Sequence, residues 1–260
     1  MENVQNEITG TDRMRSFLVL AATIGVIVFN WIAATGRLGG RDTGSISDAY
    51  PTLVTPAGYA FSIWSLIYLG MIAFSIYQLL PANIARFRSI LSLYIFTCAL
   101  NCGWLYFWQE EQVLICLFVI VALLIALLFI NFQTRDPSSL AESWIVKAPF
   151  GIYFGWVTAA TAVNFAILLK FLRVELSYTT ETIIAVVLML AVAFAAIVVR
   201  IKLVNYFYPL AVAWALTAIA VKQSGKTAIV VAAAIGVVAC LIASATFVMS
   251  LRSSQDREAL

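Results

Sequence analysis

Aromatic and amide side chains recur at helical spacing in three apolar stretches of the chain. Phe61, Trp64 and Tyr68 follow one another at i, i+3 and i+7, which places them on one face of a helix. Rings bind flat apolar molecules by stacking, and amides add a few directed hydrogen bonds. The other two stretches carry the remaining candidate ligand-binding residues, namely Asn101 and Trp104 in one and Tyr153, Trp156, Ala160 and Asn164 in the other.

Acid–base chemistry has no support in these apolar stretches. They contain no Asp, Glu, Lys or Arg, and the whole chain has no His. Proton transfer, nucleophilic catalysis and metal-assisted hydrolysis all depend on such groups. The sequence therefore predicts no catalytic residue, no metal site and no required cofactor. It predicts binding by shape and stacking.

The composition indicates that the helices lie in a bilayer. Hydrophobic residues make up 63% of the chain, charged residues 11%, and the mean hydropathy is +0.97. Backbone groups in lipid must pair within their own segment, and the apolar runs are continuous, so helices are favoured over a barrel. We expect an all-α integral membrane protein with eight transmembrane helices. The eight apolar runs are 16–35, 54–80, 89–109, 112–133, 148–169, 182–199, 203–221 and 227–251.

The basic residues predict the orientation of these helices. The termini and the loops after helices two, four and six carry ten Lys and Arg residues, against six in the other loops. Basic loops stay on the cytoplasmic side, so both termini are expected there. The basic residues are spread over helix ends rather than clustered, so the expected partner is the lipid bilayer and not nucleic acid.

Two interpretations of the rings and amides stay open. Rings at helix ends form interfacial belts, and asparagines in a bundle join helices by hydrogen bonds of roughly 0.6 to 2 kcal/mol. The set of Trp64, Trp104 and Trp156 together with Asn101 and Asn164 favours an apolar cavity with a few polar anchors.

The second helix is predicted to begin near Thr55, a good N-cap residue, with Pro56 in its first turn. Residues 36–53 before it form a long loop that contains Arg37 and Arg41. Loops longer than about 15 residues without obvious structure are uncommon and often act as lids.

The apolar stretches also resemble a known family. Residues 55–70, "TPAGYAFSIWSLIYLG", resemble the W-x-P-P-x-W-x-F-x-x-V-W-x-x-L-Y signature of the TspO/MBR family, the tryptophan-rich sensory proteins also called translocator proteins or peripheral benzodiazepine receptors. "ALNCGWLYFW" (99–108) and "YFGWVTAATAVN" (153–164) are similar to the motifs of its third and fifth helices. The resemblance implies a TspO-like five-helix membrane domain over residues 1–175. Residues 176–260 are then an extension of three helices and a short tail.

The resemblance also implies a function. It indicates a receptor, sensor or carrier that binds a flat hydrophobic ligand, such as a porphyrin, haem or a sterol, in an aromatic-lined cavity within the bundle. Arg37 and Arg41 would meet the propionates of a porphyrin, or else they are solvated loop charges. Alternative functions are an uncoupled small-molecule transporter or membrane scaffold, and light-dependent porphyrin breakdown; an enzyme is not the leading expectation. A bacterial cytoplasmic membrane is the expected location, and a homodimer is one of the assemblies left open.

Overall fold

The computed structural model describes residues 8–258, with side chains as far as residue 246. The described residues form helices joined by short connections, with no strand among them. In chain order the helices are α1 (Gly10–Ala34), α2 (Thr43–Ala49), a 3₁₀ turn (Gly58–Ser62), α3 (Ile63–Tyr77), α4 (Pro81–Gln109), α5 (Val113–Gln133), α6 (Leu140–Glu142), a π-helical turn (Ser143–Lys147), α7 (Ala148–Phe171), α8 (Tyr178–Lys202), α9 (Tyr208–Lys222) and α10 (Thr227–Glu258).

The helices are long and apolar enough to confirm the predicted fold class. Within the described part of the chain, seven helical segments could cross a membrane by length and composition, and α9 is a shorter apolar helix. The chain is thus an all-α integral membrane protein of about eight helices. The seven longer segments are Gly10–Ala34, Gly58–Tyr77, Pro81–Gln109, Val113–Gln133, Leu140–Phe171, Tyr178–Lys202 and Thr227–Thr246.

The predicted start of the second spanning helix is wrong. The helix begins with the 3₁₀ turn at Gly58, and Thr55 and Pro56 lie before it. The Thr55 hydroxyl accepts a hydrogen bond from the backbone N–H of Thr52 at 3.0 Å, and so closes a turn. Threonine hydroxyls stabilise turns as well as helix N-termini, and the sequence does not distinguish these uses.

By its internal contacts the chain divides into two units. Unit 1 consists of the residues up to Tyr50 together with Ile63–Phe150, and unit 2 consists of Pro51–Ser62 together with the residues from Gly151 onward. The three boundaries fall just after α2, between the 3₁₀ turn and α3, and within α7. The division at residue 175, which the family resemblance implies, stays a prediction.

Unit 1 has an aromatic core. The ring of Phe74 lies 5.8 Å from that of Phe87, 5.2 Å from that of Tyr94 and 4.9 Å from that of Phe150, between centroids. The hydroxyls of Tyr94 and Thr23 are 2.6 Å apart, which joins α4 to α1. Rings and a hydroxyl pair therefore hold helices from four parts of the sequence together.

Unit 2 has close contacts at small residues in addition to ring contacts. A Cβ atom added at Gly155 of α7 would lie 2.5 Å from the carbonyl oxygen of Tyr208 in α9, and one added at Gly236 of α10 would lie 2.6 Å from Leu216. Small residues let helix backbones approach closely, which is a main source of stability between helices in lipid. The Asn205 side chain accepts hydrogen bonds from the N–H groups of Phe207 and Tyr208, and so fixes the turn that leads into α9.

The short helix α9 still connects both ends of unit 2. Its 15 residues measure about 22 Å, less than the roughly 30 Å of a bilayer core. At one end, Ser244 donates to the carbonyl of Tyr206 at 2.9 Å, and the Arg200 guanidinium lies 3.8 Å from the Tyr206 ring. At the other end, Gln223 donates to the carbonyl of Thr52, which lies beside the start of α8. The non-helical residues before α9 add to the distance that this segment covers. Helix α9 with its flanking residues therefore runs antiparallel to α8, from the end of α8 back to its start.

Candidate functional site

Two of the predicted ring residues, taken from different motifs, meet in unit 2. Phe61 of the 3₁₀ turn lies edge to face with Trp156 of α7, with ring centroids 6.0 Å apart and an interplanar angle of 82°. Trp156 is buried and Phe61 is half-buried. Tyr153, one turn earlier on α7, is also buried. The helical spacing thus correctly grouped Tyr153 with Trp156, and folding adds Phe61 to them.

The candidate amide side chain on α7 bonds to its own helix. Asn164 is buried, and its Nδ2 donates to the carbonyl of Ala160 at 2.9 Å. Ala160 is half-buried. These two residues are therefore neighbours on one face, and the ligand contacts assigned to them stay predictions.

The segment that carries Phe61 is held by α9. The ring of Tyr59 packs edge to face on Trp214, with centroids 5.3 Å apart, and the Trp214 indole N–H donates to the carbonyl of Ala60 at 3.0 Å. The backbone N–H of Ala57 donates to the carbonyl of Ala218 at 3.0 Å. Helix α9 lies beyond the region of motif resemblance, and yet it supports the first motif.

Sequence reasoning missed Trp214 and Gln223 as supports of this segment. Gln223 is buried and donates to the carbonyls of Thr52 at 3.0 Å and Thr55 at 3.5 Å. The available signal was a tryptophan inside an alanine-rich helix and a glutamine at that helix's end. Neither residue indicates its partner, which is more than 150 positions away in the sequence.

In unit 1 the candidate rings of Trp64, Tyr68 and Trp104 lie in two stacked pairs. Trp64 and Tyr68 of α3 lie 5.4 Å apart between centroids at an interplanar angle of 18°, and both are half-buried. Trp104 stacks in the same manner on Trp108 of α4, at 5.4 Å and 20°. Trp64 and Tyr68 therefore share one face of α3, as their spacing predicts, and the ring planes of both pairs are nearly parallel.

Polar side-chain groups on α4 join this helix to other parts of unit 1. Asn101 accepts a hydrogen bond from Nδ2 of Asn30 in α1 at 2.8 Å. The Trp108 indole N–H donates to the carbonyl of Thr43 at 3.2 Å. A partly buried hydrogen bond between two helices is the joining role that the sequence left open for Asn101. A ligand contact of Asn101 stays a prediction.

The predicted lid loop is more ordered than the sequence indicates, since it contains α2. Asp42 caps α2 by accepting from the N–H groups of Gly44 and Ser45 at 2.9 and 3.0 Å. The hydrogen bond from the Ser45 hydroxyl is the main cause that lowers the pKa of Asp42. Positive φ angles at Gly36, Gly39 and Gly40 turn the chain between α1 and α2.

Both loop arginines have neighbours within unit 1. Arg41 forms an ion pair with Glu111, in the turn between α4 and α5. Tyr50 donates a hydrogen bond to the same carboxylate, which raises the pKa of the tyrosine. The Arg37 guanidinium lies 4.6 Å from the centre of the Trp31 ring. Their contact with ligand carboxylates stays a prediction.

A set of paired charges in unit 1 lies at the first turns of α1 and α4 and around α6, outside the apolar runs, and Asp12, Glu142 and Lys147 among them are buried. Arg88 pairs with Asp12 at 3.3 Å, and Arg86 pairs with Glu142 at 3.0 Å. Lys147 donates to the carbonyl of Arg135 at 2.6 Å. These charged residues lie between apolar runs, where ordinary loop charges also lie. Their burial and their partners could therefore not be predicted from the sequence.

Comparison with known proteins identifies the family. No curated protein and no solved structure gives a significant match. Residues 16–247 match the family described as TSPO-like protein. The match includes α8, α9 and much of α10, and so it reaches beyond the three motifs. Because it covers most of the chain, this protein belongs to the TSPO-like family.

Proposed function

We propose that this protein binds a flat hydrophobic ligand of the porphyrin or sterol class through aromatic side chains within the membrane. Membership of the TSPO-like family suggests a membrane protein that binds or senses a ligand. The observation that carries the finer proposal is the edge-to-face contact between Phe61 and Trp156, because it joins rings of two separate motifs in unit 2.

The ring geometry supports a flat ligand. Aromatic pairs favour parallel-offset and edge-to-face arrangements, each worth roughly 0.5 to 1.5 kcal/mol beyond the area they bury. The Trp64–Tyr68 pair has the first geometry and the Phe61–Trp156 pair the second. A planar conjugated molecule can extend either arrangement. Unit 1 and unit 2 thus each carry a candidate contact, and each is tested separately.

Porphyrin titration of purified protein tests the proposal. In the Trp156→Phe and Trp64→Phe variants, loss of a stacking surface should raise the porphyrin Kd by about tenfold, or about 1.4 kcal/mol, wherever that ring contacts the ligand. Trp144→Phe is the matched control, because Trp144 is 55% exposed and is not a candidate contact. Equal Kd values in the wild type and in all three variants would refute the proposed contacts.

The same samples distinguish the alternative functions. Illumination followed by product analysis separates binding from light-dependent breakdown, since intact porphyrin excludes breakdown. Flux of porphyrin into vesicles separates a carrier from a receptor. Competition by a sterol distinguishes the two ligand classes.

The described helices and the basic residues support a common side for both termini. Seven of the described segments are long enough to cross the membrane, and α9, which connects the two ends of unit 2 with its flanking residues, supports an eighth crossing. An even number of crossings returns the chain to its starting side. The excess of Lys and Arg, ten against six, favours the cytoplasm for that side.

A further inference from the structure

A cleft in unit 2 opens where α7 ends and α8 begins. Residues 52–54 form its third wall, and the space between the walls, with the open solvent at its mouth included, measures about 380 Å³. Its sides are largely apolar, with Leu169 on α7 and Ile184 and Leu188 on α8. This cleft includes none of the ring residues assigned to the proposed ligand.

An ion pair lies at the cleft. Lys170 donates to the carboxylate of Glu181, and the two side chains are 37% and 22% exposed. An ammonium group has three donors and a carboxylate has about four acceptor sites, so one mutual bond leaves both groups able to bind further polar atoms. The cleft thus combines apolar walls with one positive and one negative group.

The cleft opens at the depth of the lipid headgroups. It lies at the ends of two membrane-spanning segments, and the connection between them exposes apolar side chains at Leu172, Val174 and Tyr178. Exposed apolar and tyrosine side chains at the ends of spanning helices mark the membrane interface. An amphiphile in the bilayer can therefore present its headgroup to Lys170 and Glu181 and its acyl chain to the apolar walls.

We propose that this cleft binds a phospholipid whose headgroup carries a primary ammonium beside its phosphate, as in phosphatidylethanolamine. The phosphate accepts a hydrogen bond from Lys170, and the ammonium donates one to Glu181. A quaternary ammonium has no N–H to donate, and an anionic headgroup lacks the positive partner for Glu181. The ion pair therefore selects among lipids by charge and by hydrogen bonding.

Native mass spectrometry of the purified full chain tests this site. The probe is an equimolar mixture of phosphatidylethanolamine, phosphatidylcholine and phosphatidylglycerol with identical acyl chains. The wild type should retain phosphatidylethanolamine about tenfold more than the other two lipids. Glu181→Gln should reduce this preference to near one. Glu175→Gln is the matched control, because Glu175 lies in the same connection but does not line the cleft.

A second variant keeps the test decisive if Glu181→Gln does not fold. Leu188→Trp fills the cleft and leaves the ion pair in place, so it should reduce the retention of all three lipids several-fold. Circular dichroism checks that each variant is helical. Equal retention of the three lipids by the wild type, or an unchanged preference in Glu181→Gln and unchanged retention in Leu188→Trp, would overturn the proposal.

Discussion

In unit 1 the amides of Asn30 and Asn101 join α1 to α4, whereas in unit 2 Gly155 of α7 lies against the backbone of Tyr208 in α9. Lipid chains are as apolar as leucine, so burial of apolar surface contributes little to helix association in a membrane. Hydrogen bonds and close backbone approach remain as the main sources of stability. The Asn30–Asn101 contact of unit 1 relies on the first, and the Gly155–Tyr208 contact of unit 2 relies on the second.

The difference predicts different responses to substitution. A close backbone contact has no room for a new atom, so the contact at Gly155 in unit 2 should be sensitive to a small increase in side-chain volume. A hydrogen-bonded pair loses only the net value of its bond, so the Asn30–Asn101 pair of unit 1 should respond moderately. The following predictions test this contrast.

Gly155→Ala should have the largest effect. The added Cβ would lie 2.5 Å from the Tyr208 carbonyl oxygen and 3.0 Å from the Cβ of Ala211, so α7 and α9 must separate. We expect a loss of roughly 1 to 3 kcal/mol or more, seen as a lower Tm in detergent.

Gly103→Ala is the matched control for this substitution. Gly103 also lies within a helix, and an added Cβ would have nothing within 4 Å. Alanine favours a helix over glycine by about 0.5 to 1 kcal/mol, so Tm should stay the same or rise. Similar Tm values for the two variants would contradict the role of close approach in unit 2.

The Asn30–Asn101 pair should have an intermediate effect. A double-mutant cycle with Asn30→Ala and Asn101→Ala should give a coupling energy of about 0.6 kcal/mol, and at most about 2 kcal/mol. Asn83→Ala replaces Asn101→Ala in the control cycle, because Asn83 bonds to Tyr77 and lies about 27 Å along α4 from Asn101. Equal coupling in both cycles would remove the polar contribution assigned to unit 1.

Asp42→Ala should have the smallest and most local effect. Loss of the α2 cap should destabilise that helix by about 1 kcal/mol, while Tm of the whole protein stays nearly unchanged. Hydrogen exchange of residues 43–50 measures this change.

The same cap makes α2 depend on pH. Hydrogen bonding lowers the folded-state pKa of Asp42, so its stabilising contribution is present above the unfolded pKa and is lost as pH falls through the folded pKa. Exchange of residues 43–50 in the wild type should therefore accelerate in acid. Asp42→Asn keeps a good capping residue without the charge, so its exchange should be less dependent on pH. Equal acid sensitivity of the two proteins would exclude Asp42 as the cause.

Much of the local arrangement could be predicted from residue types and spacing. The apolar runs indicated the membrane and nearly all of the helices, because a bilayer leaves few alternatives for a continuous apolar segment. The helical period correctly grouped Trp64 with Tyr68, and Tyr153 with Trp156. Thr55 was misread because a hydroxyl can close a turn or cap a helix with equal ease. The helix α2 was missed because its short polar sequence carries no apolar periodicity.

The sequence by itself determined the solvent of this protein, the type of its secondary structure and which side chains share a helix face, since these follow from composition and from the geometry of one helix. Only the tertiary structure decided that Phe61 packs on Trp156 and that α9 holds the segment before α3. Such contacts join residues far apart in the chain, and their formation depends on the shapes of both surfaces rather than on either residue alone.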